Sequence, residues 1–504
     1  MRHASILAVL TLAAACAPGL DAGSTSSTGG APPGTTGTGG APTATTTATT
    51  GATGGAPACT DPAACATQGW SRALDLTSMT PPALDPAGRV LFAGRTAAGV
   101  LDLGEGPLPA PIDAFVACLD PAGNVAFAAP LDPGYQPSAV AVDAAANVFV
   151  VGAATPFTSG QPLPHFLRKL DPTGKTLWTT IVVGPPEPFD GFGGLSLRHL
   201  ALRPDGSAVV AGQLRGTAQV DGVTFSSAYG DTMPTALVMA FGADGHLLWQ
   251  RTPQEANNGS IAGALAVDPT GLVWVAGDSG GQKGSGFGIS FDGCNGVGPA
   301  TPITQVWLAR FDGAGMCPLV DRFPGNAYQQ AGTLAWAGGD VYLGGPLRAQ
   351  DSVNLGAIDL GGGLLSATSG SAGYVGRRTA AGAHVWSRLL PEGAAGRFAV
   401  DPSGRVVLPG TFAGTLSMFG EVQASAGDDD IYLARLGAEG VADVALRFGG
   451  AGKDGAIGAA VDATGAVFMN GTFTGAIDFG AGPIAAVTHG SDATDFFVVK
   501  LTLP

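Results

Sequence analysis

From about residue 69 to the C-terminus, apolar and polar residues alternate in short runs separated by turn residues. A recurring phrase combines an alternating run, Asp-Pro-x-Gly, and a second run ending in Gly, as in ALDPAGRVLFAG (83–94) and AVDPTGLVWVAG (266–277). A side-chain period of two is typical of a half-buried β-strand, and Asp, Pro and Gly at these positions favour a tight hairpin turn. Each phrase therefore predicts a β-hairpin.

This hairpin phrase recurs along the chain at intervals of roughly sixty residues, a period typical of propeller arrays. Seven copies are recognisable, the fifth in degenerate form: 83–94, 141–152, 201–212, 266–277, 334–345, 399–410 and 460–471. Each of the first six copies is followed by a second turn leading into another strand, often with Trp, as in FLRKLDPTGKTLWTT (166–180). Two hairpins per copy give four strands, so the chain predicts a seven-bladed β-propeller.

The two ends of the repeat region indicate how the ring closes. The last unit stops at DFFVVKLTLP, its third strand, while GWSRALD (69–75) resembles the fourth strand VWSRLLP (385–391) of another unit. We expect the strand around Trp70 to complete the seventh blade and leave no open sheet edge. The predicted fold is all-β: seven four-stranded antiparallel blades, the last closed by the N-terminal strand and preceded by a disordered stalk.

The segment before the repeats predicts export. Residues 1–16 combine Arg2 with an apolar run and three alanines before Cys16. They resemble a lipoprotein-type signal peptide, whose lipobox cysteine is acylated, and an ordinary cleaved signal is the alternative. Residues 17–66 consist mainly of Thr, Gly, Ser, Ala and Pro and predict a disordered linker, and 67–504 form the propeller. We expect an outer-membrane lipoprotein of the cell envelope or surface, attached by its lipid anchor alone, or otherwise a secreted protein.

Composition narrows the choice of partners. The chain has 504 residues, 81 of them Gly, and a formal net charge of −15. Frequent Gly suits short strands and turns better than helices. Nucleic-acid binding requires a basic patch, and the sequence has no Lys/Arg cluster. We therefore expect no nucleic-acid partner, and a monomer whose ligand is an unidentified protein or polysaccharide.

The fragment Gly277-Asp278-Ser279-Gly280-Gly281 is identical to the stretch around the nucleophilic serine of chymotrypsin-like proteases. Its first Gly, however, is the Gly that ends the second strand of every repeat, and the next residues begin a connection that differs in each unit. A protease also needs a His base and an orienting Asp. We interpret Ser279 as a loop serine and predict no catalytic residue.

The repeats resemble bacterial SBBP-type β-propeller repeats. The matching pieces are GTFTGAIDFG (471–480), DFFVVKL (495–501) and the turn followed by the Trp strand, and the resemblance covers about 69–504. It implies an exported protein or lipoprotein of a Gram-negative bacterium, a class in which most members have no assigned activity.

Candidate binding residues lie on the face opposite the tight turns, where longer connections emerge. Asp428, Asp429 and Asp430 precede the third strand of the sixth unit. Their carboxylates suit calcium, although the spacing is not that of an EF-hand, and a solvated loop is the alternative. Phe189 and Phe192 lie on another connection (183–194) as candidate ligand contacts, with core burial as the alternative.

The cysteines of an exported chain meet oxidising conditions. Cys59 and Cys65 are close enough in sequence to close a small loop, and Cys294 and Cys317 flank the third strand of the fourth unit. Each pair is a candidate disulfide. Cys118 alternates within a strand and is interpreted as a buried free thiol.

The sequence leaves three functions open. The preferred one is a membrane-anchored binding or scaffold module for an envelope or extracellular protein or glycan. The alternatives are a propeller enzyme of the hydrolase, lyase or quinoprotein-like kind with its site at the channel mouth, and a structural spacer or adhesin. Metalloprotease, Cys-x-x-Cys and P-loop motifs do not occur. We expect neither enzyme activity nor a cofactor.

Overall fold

The computed structural model describes most of the chain from residue 66 onward, in the following ranges: 66–96, 99–108, 111–154, 161–186, 194–228, 230, 232–253, 259–279, 289–291, 294–297, 305–326, 328–349, 355–367, 371–391, 397–418, 420–487 and 494–504. The predicted signal peptide, Cys16, Cys59, Cys65 and the linker up to residue 65 lie outside these ranges. None of the described segments is a helix long and apolar enough to cross a membrane.

Seven antiparallel four-stranded sheets form a ring, which confirms the predicted seven-bladed β-propeller. The blades are numbered in chain order, and the strands of each blade from the channel outward. The first four blades comprise Leu76–Met79 with Ala83–Leu84, Val90–Thr96, Ala114–Leu119 and Val125–Pro130; Gln136–Val142, Val148–Ala153, His165–Leu170 and Thr176–Val182; Leu195–Leu202, Ala208–Leu214, Thr235–Phe241 and Leu247–Arg251; and Ser260–Val267, Val273–Ser279, Gln305–Phe311 and Leu319–Phe323.

The remaining blades follow the same order. Blades 5 to 7 comprise Tyr328–Gln329 with Thr333–Ala337, Asp340–Arg348, Ser371–Thr379 and His384–Leu390; Ala399–Val400, Val406–Met418, Glu421–Leu436 and Ala442–Phe448; and Gly455–Val461, Ala466–Thr474, Thr494–Thr502 and Thr67–Leu74. Short accessory strands decorate the connections: Thr217–Val220, Val223–Ser226, Ser290–Phe291, Cys294–Val297, Gly325–Asn326, Ala357–Asp359, Leu364–Ser366, Ala476–Asp478 and Pro483–Ala485.

The first strand of each blade contacts the first strand of the next one, and the contacts run around the complete ring. Ring closure follows the sequence prediction: Thr67–Leu74 pairs antiparallel with Thr494–Thr502, and Trp70 lies opposite Lys500. The N-terminal strand is therefore the outer strand of the seventh blade.

The Asp-Pro-x-Gly turns have the predicted chemistry. In the first of them, the Asp85 carboxylate accepts hydrogen bonds from the backbone N–H groups of Ala87 (2.9 Å) and Arg89 (2.8 Å). Gly88 donates its N–H to the Asp85 carbonyl and has a φ of 75°, which favours glycine. These aspartates satisfy their own turns, as the sequence indicates.

The blades are joined by a repeated contact of the Trp strand with the outer turn of the next blade. The Trp249 indole donates to the Gly313 carbonyl at 3.0 Å, and Arg251 donates to the Gly315 carbonyl at 2.8 Å. A Cβ on Gly315 would lie 2.6 Å from the Trp249 ring, so only Gly allows this approach. Trp178, Trp386 and Trp70 bond the next blade in the same way. The tryptophans of the outer strands therefore pack between neighbouring blades.

The hydrophobic core lies between blades rather than at the centre of the ring. One cluster combines Phe468 and Val498 of blade 7 with Phe92 and Phe115 of blade 1. Another combines residues of blades 3 and 4 around the buried Trp307. The apolar faces of the sheets are thus buried between neighbouring blades. Strand edges and polar side chains line the central channel.

Candidate functional site

A cavity of about 1020 Å³ occupies one end of the central channel. It opens where the second-to-third strand connections emerge, on the face opposite the tight turns, as the sequence predicts for a binding face. Its lining comes from the beginnings of the first and third strands and the ends of the second strands. The polar and charged lining residues are Thr77, Ser78, Arg95, Gln136, Ser138, His165, Ser196, Arg198, His199, Gln213, Asp278, Gln330 and Arg397.

A shared backbone irregularity brings several of these side chains into the mouth. In blades 2, 3 and 4 the pairing of the first with the second strand shifts by one residue, at Ser138, Arg198 and Gly263. A bulge of this kind leaves one residue unpaired and changes the direction of its side chain. All three bulge residues line the mouth. The repeat therefore presents one variable position per blade to the channel.

Two arginines and a histidine form a cationic group, which we call the floor cluster: Arg198, His199 and Arg397. Arg198 donates from Nε to Ser196 Oγ at 2.8 Å. His199 and Arg397 also line a second cavity of about 130 Å³ deeper in the channel. Because both cavities share them, these two side chains form the partition between the mouth and the deeper channel.

The charges of the floor cluster act on one another. Burial and the charge of Arg198 lower the pKa of Arg397 from its usual value. Burial, followed by the charges of Arg397 and Arg198, lowers the pKa of His199 to about 3. His199 is therefore neutral at pH 7, and the cluster carries the two guanidinium charges.

His165 stands at the beginning of the third strand of blade 2. Its side chain is almost completely buried, and Nδ1 lies 3.2 Å from the Leu163 carbonyl oxygen. Burial is the main cause that lowers its pKa to about 4, opposed by the hydrogen bond and assisted by the Arg198 charge. This imidazole is also neutral at pH 7.

Asp278 lines the same mouth from the end of the second strand of blade 4. Burial raises the pKa of its carboxyl to about 7, and a hydrogen bond from the Ala331 backbone N–H opposes that rise. The Asp278 charge also raises the pKa of the buried Tyr374.

The protease-like motif is part of this wall. Asp278 and Ser279 are the last residues of the strand Val273–Ser279, so the expectation that they begin a loop is wrong. The hydrogen bond of Asp278 is with Ala331, whereas that of His165 is with Leu163. The described residues show no Asp–His–Ser relay. Gly277 therefore lies inside the strand and not at its end. A Cβ at this position would lie 2.2 Å from the Ile261 carbonyl oxygen and from the Trp307 ring, so close packing explains the glycine.

The acidic residues of the sixth blade lie in a different environment from the one expected. They belong to the strand Glu421–Leu436, which pairs with Val406–Met418, so they lie within the third strand of the sixth blade and not before it. Asp430 is buried and accepts hydrogen bonds from Arg447 at 2.5 Å and the Ala426 N–H at 2.8 Å. Asp429 is half-buried and Asp428 is exposed. The alternation of a strand separates these side chains, and their ligand-binding role stays a prediction.

Among the residues that the structure describes, no three His, Cys, Asp or Glu side chains come together in a group that could hold a metal ion. Phe189 and Phe192 lie outside the described ranges. Cys118 is a buried free thiol, as interpreted from the sequence, and burial raises its pKa to about 12.

Cys317 is buried and disulfide-bonded. The strand Cys294–Val297 runs parallel to Leu319–Phe323, with Gly296 opposite Val320. This pairing brings the backbone at Cys294 close to the segment that follows Cys317. The pairing of these two cysteines stays a prediction, because the Cys294 side chain is not described.

Sequence reasoning missed the floor cluster. Arg198 and His199 stand five and four residues before the turn position Arg203, and Arg397 stands four residues before Asp401. In blades 2 and 4, the position of His199 and Arg397 is occupied by Ala139 and Ala264, and the position of Arg198 by Ser138 and Gly263. An alignment of the first strands of the repeats could have revealed the floor cluster, because it shows a large basic or imidazole side chain where other repeats have a small residue.

Comparisons with known proteins add no functional assignment. No family model and no curated protein matches the chain. A Bacteroides caccae protein of unknown function has 10% sequence identity and a TM-score of 0.31, over 66% of this chain and 89% of that one. A variant of Synechocystis apocarotenoid oxygenase has 11% identity and a TM-score of 0.31, over 83% of this chain and 74% of that one. Scores of this size carry no inference about activity, and the fold assignment rests on the strand topology itself.

Proposed function

We propose that this protein is a binding module that takes a glycan ligand into the channel mouth on the face opposite the tight turns. The observation that carries the proposal is the cavity of about 1020 Å³ with its polar lining. Pockets of this order are typical of small-ligand sites, and hydroxyl and amide side chains are suitable partners for sugar hydroxyl groups. Residues such as Ser138, Gln213 and Gln330 supply these groups from three different blades.

Binding is favoured over catalysis by the composition of the mouth. Asp278 is the one carboxylate among the described lining residues, whereas glycoside hydrolysis usually requires a pair of carboxylates. Both imidazoles have lowered pKa values, and no described residue places a carboxylate beside them that would orient them as a base.

A lyase or hydrolase reaction remains the second candidate because of one observation. Burial raises the pKa of Asp278 to about 7, which is the range in which a carboxyl exchanges protons efficiently at neutral pH. Turnover of a retained glycan by the wild-type protein, abolished in Asp278→Asn, would favour this enzyme over the binding module.

The setting of this module follows from the sequence. We infer that the chain is an exported lipoprotein related to SBBP-type repeat proteins, acylated at Cys16, with residues 17–66 holding the propeller away from the membrane. The short apolar run that ends at Cys16 and the Thr/Gly/Ser-rich segment after it support this proposal. Mass spectrometry of the mature N-terminus tests it, since an acylated cysteine at position 16 is the expected result and cleavage elsewhere contradicts it.

The binding proposal is tested with a panel of immobilised polysaccharides and two tryptophan variants. Ser138→Trp places a large ring in the mouth, while Ala122→Trp places the same ring on an exposed turn of the opposite face. We expect the wild type and Ala122→Trp to retain the same glycan and Ser138→Trp to lose it. Retention by Ser138→Trp would place the site outside the mouth, and retention by none of the three would favour the structural spacer.

A further inference from the structure

The two arginines of the floor cluster have neither of the arrangements that most described arginines show. Ten arginines lie 2.5 to 3.6 Å from a carboxylate: Arg72, Arg89, Arg95, Arg168, Arg203, Arg377, Arg378, Arg405, Arg435 and Arg447. Arg251 and Arg388 have no such pair and donate instead to backbone carbonyl groups of the next blade. Arg198 and Arg397 form no such pair with any described residue. Two positive charges therefore face the mouth without a carboxylate partner in the part of the chain that the structure describes.

Without a bound anion, the positions of these two unpaired charges are electrostatically unfavourable. Arg397 is half-buried at the partition of the channel, and the charge of Arg198 acts on it unfavourably. The same Arg198 charge also opposes protonation of His165 and His199. A positive field of this kind, in a site with low effective dielectric, favours an incoming anion.

The size of the anion is limited by the rest of the molecule. The chain has a net charge of −15, so a long polyanion is repelled by the body of the protein as it approaches. A short ligand with few charges avoids most of that repulsion, because the field of exposed charges is screened within about 8 Å at physiological salt.

The other polar residues of the mouth indicate what else the ligand carries. Asp278 accepts hydrogen bonds when ionised, and Gln330 and Gln213 both donate and accept them. Such groups suit the hydroxyls of a sugar. An acidic peptide with several carboxylates would bring negative charge towards Asp278, which is unfavourable.

We propose that the channel mouth recognises a short uronate oligosaccharide, with a sugar carboxylate held by Arg198 and Arg397 and sugar hydroxyls held by the other polar residues of the mouth. This rests on the proposed glycan-binding function and specifies its substrate class. The planar guanidinium group binds a carboxylate through two parallel hydrogen bonds, which selects it over a neutral group at the same position.

The test is isothermal titration calorimetry of the full-length protein with digalacturonate and with its dimethyl ester, which keeps the shape and removes the charge. We expect digalacturonate to bind and the ester to bind at least about tenfold more weakly, as a lost charge-assisted hydrogen bond predicts. Arg198→Met and Arg397→Met should weaken digalacturonate binding by at least about tenfold as well, because each removes one guanidinium group.

The matched control is Lys175→Met, which removes one exposed positive charge from a turn on the opposite face. Its affinity for digalacturonate should equal that of the wild type, and an equal loss would show that net charge alone is responsible. Equal binding of acid and ester overturns carboxylate recognition and leaves the glycan-binding function standing. Tighter binding of inorganic phosphate, sulfate or diglutamate overturns the uronate assignment, as does the absence of binding to every probe.

Discussion

The turn face and the mouth of this propeller treat polar groups in opposite ways. On the turn face, Trp249 and Arg251 donate to carbonyl groups of the neighbouring blade, and Arg89 is neutralised by the buried Asp85 at 2.5 Å. At the mouth, Arg198 and Arg397 have no described carboxylate partner and repel each other. The comparison separates the polar groups that hold the ring together from the polar groups that we propose to bind a ligand. Removal of a group from each region separates the two roles.

The largest expected effect is on the turn face. Trp249→Ala removes a buried indole that packs on Phe311 and fits against Gly315. We expect the free energy of unfolding to fall by about 3–5 kcal/mol, as for other large aromatic side chains removed from a core. Chemical denaturation monitored by circular dichroism measures the change.

The neighbouring Leu248 provides the control for this substitution. Its side chain is 54% exposed on the same strand, so Leu248→Ala should change the free energy of unfolding by no more than about 0.5 kcal/mol. A similar loss in both variants would mean that the strand, and not the inter-blade contact, determines stability.

The second effect concerns a paired charge of the turn face. Arg89→Met leaves the Asp85 carboxylate buried without its guanidinium partner, although two backbone N–H groups still donate to it. We expect a loss of about 2 kcal/mol, below the usual cost of breaking a buried ion pair because of these remaining hydrogen bonds. The double variant Arg89→Met with Asp85→Asn should recover part of the loss in the same denaturation experiment, and a further loss would contradict the pairing.

The third effect is a pH dependence at the mouth. Burial in the folded state raises the pKa of Asp278 to about 7 from its usual value of 3.8, so between these values the folded protein binds more protons than the unfolded chain. Stability contributed by this group is therefore present at low pH and lost as the pH rises through about 7. Relative to Asp278→Asn, the wild type should become less stable from pH 4 to pH 7 and remain level above it.

Thermal melts of the wild type and Asp278→Asn across this pH range measure the difference in their stability. His165 and His199 are present in both proteins, so their opposing titrations cancel in this difference. Those histidines have lowered pKa values of about 4 and about 3, so they stabilise the fold as the pH rises through the range of an unfolded histidine. A difference that is independent of pH would contradict the burial of the Asp278 carboxyl.

Much of the ring could be predicted from the sequence because the physics is local and repeated. A turn such as Asp85-Pro86-Ala87-Gly88 satisfies its own backbone groups, and the alternation beside it specifies which side chains are buried. Ring closure by the strand of Trp70 followed from matching one Trp strand with another. These features recur in each unit, so one correct interpretation applies to all of them.

The mouth could not be predicted in the same way, because its residues come from different blades and depart from the repeat. Arg198 and Arg397 lie 199 positions apart in the sequence and meet only when the ring closes. The acidic residues near Asp430 were conspicuous in sequence, but strand alternation buries one of them against Arg447 and exposes another. A run of like residues predicts a shared site only in a loop, and this run belongs to a strand.

The most direct test of the contrast between the two faces compares Arg89→Met with Arg397→Met in two measurements, the free energy of unfolding and the affinity for digalacturonate. We expect Arg89→Met to lose stability and keep its affinity. Arg397→Met should keep its stability within about 0.5 kcal/mol, because no described carboxylate is left unpaired, and should lose at least about tenfold in affinity. A substantial loss of stability in Arg397→Met with unchanged affinity would show that this arginine serves the fold, and the proposed division between the turn face and the mouth would be wrong.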